Sequence, residues 1–184
     1  MDEQMSPLLW IHIPKTGGTT LKKVIRRTYA KEEYRFIDRH WLIQEPDEKA
    51  HYRFTGERRS DPTTDTSVIT DELQSAVNIK LIHGHFPHGT HKEFGLAPRY
   101  ATVVRNPIDR VLSEFRHASR PGHYLYEQVR NMSIVDYVTS EVTLSTDNAQ
   151  VRYLSGLYYK VGFGQLDDSH LTTAVQNLNR TEIY

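Results

Sequence analysis

The sequence predicts an α/β fold: one domain built on an open, mostly parallel sheet with helices on both faces. Three observations lead there. An apolar run, Leu8 to Ile13, passes directly into a glycine turn and then an amphipathic helix. Further short apolar runs alternate with helical periods along the chain, the pattern of repeated βαβ units. With 184 residues and 38% hydrophobic residues, the chain can fill one ordinary core but not two.

The elements follow in order. Leu8 to Ile13 reads as a buried strand, broken by Pro14-Lys15-Thr16-Gly17-Gly18-Thr19-Thr20. Leu21, Val24, Ile25, Thr28 and Tyr29 then recur at helical spacing, with Lys22, Lys23, Arg26 and Arg27 on the other face. Strand, glycine turn and helix in this order open a P-loop-like domain. Tyr34 to Asp38 reads as a second strand, Gly56 to Asp71 as a flexible surface loop, and Thr70 as the cap of a short helix through Val77. Ile79 to His83 reads as a strand with a loop from Gly84 to Gly89, and Tyr100 to Val104 as another strand. Asn106-Pro107 is a strong helix start, amide cap followed by Pro at the first helical position, and that helix should reach about Ala118. Ser133 and Asp147 read as caps of two more helices, the second ended by Gly156. Leu171, Val175 and Leu178 mark a last helix, and Glu182-Ile183-Tyr184 a strand just beginning, so the domain reads as cut short at its C-terminal end.

Composition narrows the function classes. Lys plus Arg and Asp plus Glu each count 23, giving a net charge of 0. A global field for gripping nucleic acid is therefore absent, and any anion site must be built locally. No apolar run approaches a membrane span and no signal peptide is visible, which predicts a cytoplasmic protein. The absence of cysteine excludes disulfides, thiolate zinc sites and Cys nucleophiles. Ten histidines are the unusual count.

The turn after the first strand carries anion chemistry. Gly17 and Gly18 let backbone N–H groups approach an anion at a helix N-terminus, Thr16, Thr19 and Thr20 offer hydroxyls, and Lys15 offers a mobile cation. The nucleotide-triphosphatase pattern, with Lys after the second Gly, is not met, because Lys15 precedes both glycines. A tight turn with a surface lysine is the plainer alternative.

This segment resembles the 5′-phosphosulfate loop of sulfotransferases that use 3′-phosphoadenosine 5′-phosphosulfate (PAPS). It is most similar to the glycan branch that includes heparan sulfate 2-O- and 6-O-sulfotransferases. Tyr100 to Phe115, with Arg105-Asn106-Pro107 and Ser113, resembles the same family's 3′-phosphate element, in which an Arg at a strand end and a Ser in the next helix clamp one phosphate. The resemblance implies that Lys15, Thr16, Gly17, Gly18, Thr19 and Thr20 hold the 5′ end of the donor and Arg105 and Ser113 the 3′ end. Adenosine 3′,5′-bisphosphate is then the product nucleotide. Lacking an N-terminal anchor, the chain is similar to a soluble, bacterial-type member. The family's nucleotide pocket continues into a strand beyond Tyr184.

His83-Gly84-His85-Phe86-Pro87-His88 is open to three readings. An imidazole suits a general base, its ordinary pKa of roughly 6.5 lying close to working pH. His83, His85 and His88 could instead bind a metal, making the protein a metal-dependent hydrolase, or form a structural turn. The segment is similar to the His-Gly-His element of 2-O-sulfotransferases, which implies His85 as the catalytic base, His83 as a supporting or substrate-orienting residue, and no required metal. His12 reads as packed against the sheet. Asp147 to Gly156 resembles the family's Asn-x-Gln-x-Arg-x-Leu-x-Gly helix, which implies Gln150 and Arg152 as acceptor contacts. Arg110, Arg116 and Arg120 read as solvated or acceptor-facing, and with Arg152 could line a groove. The expected acceptor is a hydroxyl on a glycan or small molecule. A catalytically silent nucleotide-binding module is the remaining alternative.

Overall fold

A computed structural model of the chain describes residues 6–39, 52–55, 79–97, 99–158 and 160–183. The strands are β1 (Leu8–Ile11), β2 (Tyr34–Arg39), β3 (Tyr52–Thr55), β4 (Leu81–His85), β5 (Arg99–Thr102) and β6 (Glu182–Ile183). The helices are α1 (Gly18–Thr28), α2 (Pro107–Ala118), α3 (Tyr126–Val129), α4 (Ile134–Thr139), α5 (Ala149–Ser155) and α6 (Asp168–Leu178). The expected loop at 56–71 and the helix from Thr70 to Val77 lie outside the described residues.

One six-stranded sheet runs β3-β2-β4-β1-β5-β6. Every pairing is parallel except β2 with β3. The sheet therefore has the predicted α/β character, with one antiparallel edge strand that the sequence pattern did not reveal. Because β1 lies between β4 and β5, the C-terminal ends of these three strands share one edge, where open α/β sheets gather ligands. The glycine turn, His85 and Arg105 all follow from that edge.

Alternation along β1 sorts the two faces. Leu9, Ile11 and Ile13 are fully buried and belong to one core cluster with Ala149, Tyr153 and Leu154 of α5 and Ala174 of α6. His12 faces the opposite layer, directly beneath Gly18 of α1. On the same side the Lys22 ammonium stands 5.0 Å above the Phe36 ring. Helices thus cover both faces. A second cluster, with Ala118, Leu125, Val129 and Tyr137 at its heart, packs α2 against α4.

The local signals at α2 and α4 act as predicted. The Asn106 carboxamide accepts from the N–H groups of Ile108 and Asp109, with Pro107 at the first helical position. Ser133 caps α4 in a reciprocal box with Asp136. Two boundaries differ. Asn148, in the left-handed region at φ 50°, precedes α5, while the Asp147 carboxylate turns to Arg152 and to the Gly164 N–H. Strand β4 runs two residues past the expected end at His83, because Gly84 extends the strand. A Cβ there would sit 1.7 Å from the Ile37 carbonyl oxygen, so this glycine permits close packing of β4 on β2 and makes no turn.

Candidate active site

The turn after β1 is held from inside. The Thr16 hydroxyl, buried, donates to the Ile13 carbonyl oxygen at 2.8 Å, so Thr16 offers its surroundings a backbone amide and not its side chain. Lys15 and Gly17 both take left-handed backbone, at φ 71° and 98°. Thr20 and Leu21 donate to the Gly17 carbonyl, and the Gly18 and Thr19 amides, the first two of α1, have no helical acceptor, as at any helix start. Thr19 and Thr20 are exposed on that first turn. The result is a cluster of amide donors with the positive end of α1 behind it.

Arg105 reaches this turn from the end of β5. Its Nη1 donates to the Lys15 carbonyl oxygen at 3.2 Å. Two segments 90 residues apart are thereby brought to one place. The Arg105 backbone is held in turn by Gln150: its Oε1 accepts the Arg105 N–H at 2.8 Å, and its Nε2 donates to the Arg105 carbonyl at 2.9 Å. Ser113 lies half-buried on α2. Beside it Glu114 is buried, with its Oε2 lacking a hydrogen-bond partner among the described residues.

The electrostatics of Lys15 follow from this neighbourhood. Burial lowers its ammonium pKa, the Glu114 carboxylate opposes that change, and Arg120 and Arg105 add to it. Burial raises the Glu114 carboxyl, against the pull of Arg110 and Lys15. Glu114 was missed in the sequence. Its signal was the Arg110, Glu114, Ala118 spacing, which marks one helix face and proves to be the buried one.

His85 stands on the other side of the turn. Its Nδ1 donates to the His12 carbonyl oxygen at 2.8 Å, which fixes the neutral tautomer with its basic lone pair on Nε2. The His12 ring stacks on His85 with centroids 4.4 Å apart. His12 is packed against the sheet as expected, yet it also supports the candidate base through ring and carbonyl. Burial lowers its pKa to about 3, with His85 next in effect. His83 is buried beside Tyr34 and Phe36, and burial lowers its pKa to about 4. That burial suits the supporting role and not the substrate-orienting one.

Several expected contacts fall elsewhere. Arg152 is fully buried, bonding the backbone carbonyls of Asp147, Tyr158, Val161 and Gly162 and the Asp147 carboxylate, so it contacts no acceptor. Both polar groups of the Gln150 carboxamide are engaged by the Arg105 backbone. Arg110 is buried against Ser145, leaving only Arg116 and Arg120 exposed of the proposed groove. His88 stacks on Tyr100 at 4.4 Å, with His91 on the Tyr100 hydroxyl. Among the described residues no three His, Asp or Glu side chains gather where one ion could be held, so the His83, His85, His88 metal triad is not assembled.

Residues 1–170 match the model of a family described as the sulfotransferase family. The chain belongs to that family. No curated protein matches it. As a sulfotransferase it is a transferase that moves a sulfuryl group to an acceptor, and members of its family generally draw that group from PAPS. Among the described residues of this sulfotransferase, no helix is long and apolar enough to cross a membrane.

Proposed function

We propose that this sulfotransferase transfers the sulfuryl group of PAPS to a hydroxyl of a carbohydrate or related acceptor, with His85 as general base. The observation that carries the reading is the contact of Arg105 with the carbonyl of Lys15, because a donor with phosphates at both ends needs both segments at once. The residues fit such a donor: open amides at the α1 terminus suit one anionic end, and the Arg105 guanidinium the other.

When bound, the donor supplies an activated sulfuryl group on its 5′-phosphate. Lys15 and the amides of Gly17, Gly18 and Thr19 bind that phosphate and stabilise the charge that grows on its oxygens as the S–O bond breaks. His85 Nε2 takes the proton of the acceptor hydroxyl as its oxygen bonds to sulfur in line. The products are the sulfate ester and adenosine 3′,5′-bisphosphate, with the proton on His85. His12 holds the His85 ring in the tautomer that can accept it. Arg105 and Ser113 bind the 3′-phosphate and so favour nucleotides that carry it, through charge-assisted hydrogen bonds that a nucleotide without it cannot make.

The test is a screen of hydroxyl acceptors with labelled donor, run with the wild-type chain and His85→Ala. Transfer to at least one sugar or small-molecule hydroxyl is expected, reduced about 10²-fold or more in the variant. Turnover near wild type in His85→Ala would remove the base assignment, and unchanged product-nucleotide binding in the same variant is expected throughout.

A further inference from the structure

We propose that Gln150 is a positioning residue that sets the nucleotide preference of the site by holding the Arg105 backbone in place. The inference rests on the reading of Arg105 as the 3′-phosphate contact. Arg105 is exposed and lies between the end of β5 and the cap of α2, where neither sheet nor helix bonds hold it. An exposed arginine in such a place carries large rotamer freedom, and ordering it on binding opposes affinity. The Gln150 carboxamide fixes the main chain from which that side chain departs, and so removes the backbone part of the ordering cost beforehand. It accepts from the Arg105 N–H and donates to the Arg105 carbonyl, both within 2.9 Å, as a neighbouring strand would.

The clamp is itself well anchored. Gln150 is the second residue of α5, and Ala149, Tyr153 and Leu154 of that helix lie in the main core. Arg152, two residues further along, is fully buried and bonded to four backbone carbonyls and to the Asp147 carboxylate. The helix therefore presents the Gln150 amide from a rigid base to a residue that has none of its own. With its backbone held at both polar groups, Arg105 directs its guanidinium at the Lys15 carbonyl. Preorganisation of this kind acts only on a ligand that engages the guanidinium. It should favour a nucleotide with a 3′-phosphate and leave one without it unaffected.

The experiment is calorimetric titration of the wild-type chain, Gln150→Met and Gln150→Ala with adenosine 3′,5′-bisphosphate and with AMP. The ratio of the two affinities should fall about tenfold in both variants, while AMP binding moves less than about twofold. A ratio that survives both substitutions overturns the inference alone, as does an equal loss for both nucleotides. A wild-type chain that fails to discriminate overturns the 3′-phosphate reading of Arg105 and this inference with it. Amide exchange in the wild-type chain needs no variant to fold. The Arg105 N–H should be protected despite its exposure, and further protected by adenosine 3′,5′-bisphosphate but not by AMP. Rapid exchange at Arg105 overturns the clamp.

Discussion

The Arg105 guanidinium donates to the Lys15 carbonyl oxygen across 3.2 Å, so a residue from the end of β5 closes over the turn that follows β1. Both lie at the C-terminal edge of adjacent parallel strands, which is why two short sequence motifs far apart in the chain can serve one ligand. Arg105→Ala should weaken adenosine 3′,5′-bisphosphate binding by about tenfold to a hundredfold, the worth of one or two charge-assisted hydrogen bonds. AMP binding should change little. Calorimetry reads both, and an undiminished bisphosphate affinity removes Arg105 from the site.

The two glycines of the turn should respond differently to an added methyl group. At Gly18 a Cβ would lie 1.9 Å from the His12 ring, which stacks on His85, so Gly18→Ala must displace the support of the base. It should lower turnover about tenfold or more and stability by about 1–3 kcal/mol. At Gly17 nothing lies within 4 Å of the new atom, and only the left-handed backbone at φ 98° resists it. Gly17→Ala should therefore cost about 1–2 kcal/mol and leave the His12–His85 stack intact. Denaturation curves and initial rates on the two variants separate these effects.

Acid should weaken the fold through its buried imidazoles. Burial holds His83 at about 4 and His12 at about 3, both below the value of 6.5 expected in the unfolded chain. Above pH 6.5 both states are neutral and the groups have no effect on stability. As pH falls below 6.5 the unfolded chain binds protons that the native one does not, so stability declines until the folded values are reached. For His83 alone the loss approaches about 3 kcal/mol near pH 4. Urea denaturation between pH 7 and 4 should show this decline, and His83→Phe should flatten it. An equally steep decline in that variant would remove His83 as a source.

Removing Arg152 should be costly in a different way. Its guanidinium ties Tyr158, Val161 and Gly162 to α5 and neutralises the Asp147 carboxylate inside the protein. Arg152→Met leaves that carboxylate without its counter-charge and several carbonyls without a donor, a loss of about 3–5 kcal/mol. Chemical denaturation checks it. A loss under about 1 kcal/mol, typical of a solvated surface arginine, would contradict the buried hub.

What could be read from the sequence divides along a physical line. The helix after Asn106-Pro107 and the turn at Gly17-Gly18 were legible because their signals are local: a cap, a fixed φ, a freed backbone. Gly84 misled because a glycine inside an apolar run looks like a turn. Its real cause, the Ile37 carbonyl pressed against it, exists only once β2 lies beside β4. Arg110 reads as solvated or acceptor-facing and Arg152 as an acceptor contact, because an arginine is usually exposed. They are buried because backbone carbonyls collect around them, from Ser145 for Arg110 and from the flanking loops for Arg152, and carbonyls have no signature in a sequence. The sequence marks Gln150 as a functional residue, but its partner in the fold, the Arg105 backbone, is not legible there. The partner of His85, the carbonyl of His12, was hidden for the same reason.

The central claim is that the turn at Lys15 and the segment at Arg105 hold opposite ends of one doubly phosphorylated nucleotide. Calorimetric titration of the wild-type chain with adenosine 3′,5′-bisphosphate, set beside AMP, tests it most directly. The bisphosphate should bind at one site and at least about tenfold more tightly than AMP. Equal affinities for the two nucleotides, or no binding of either, would contradict the claim.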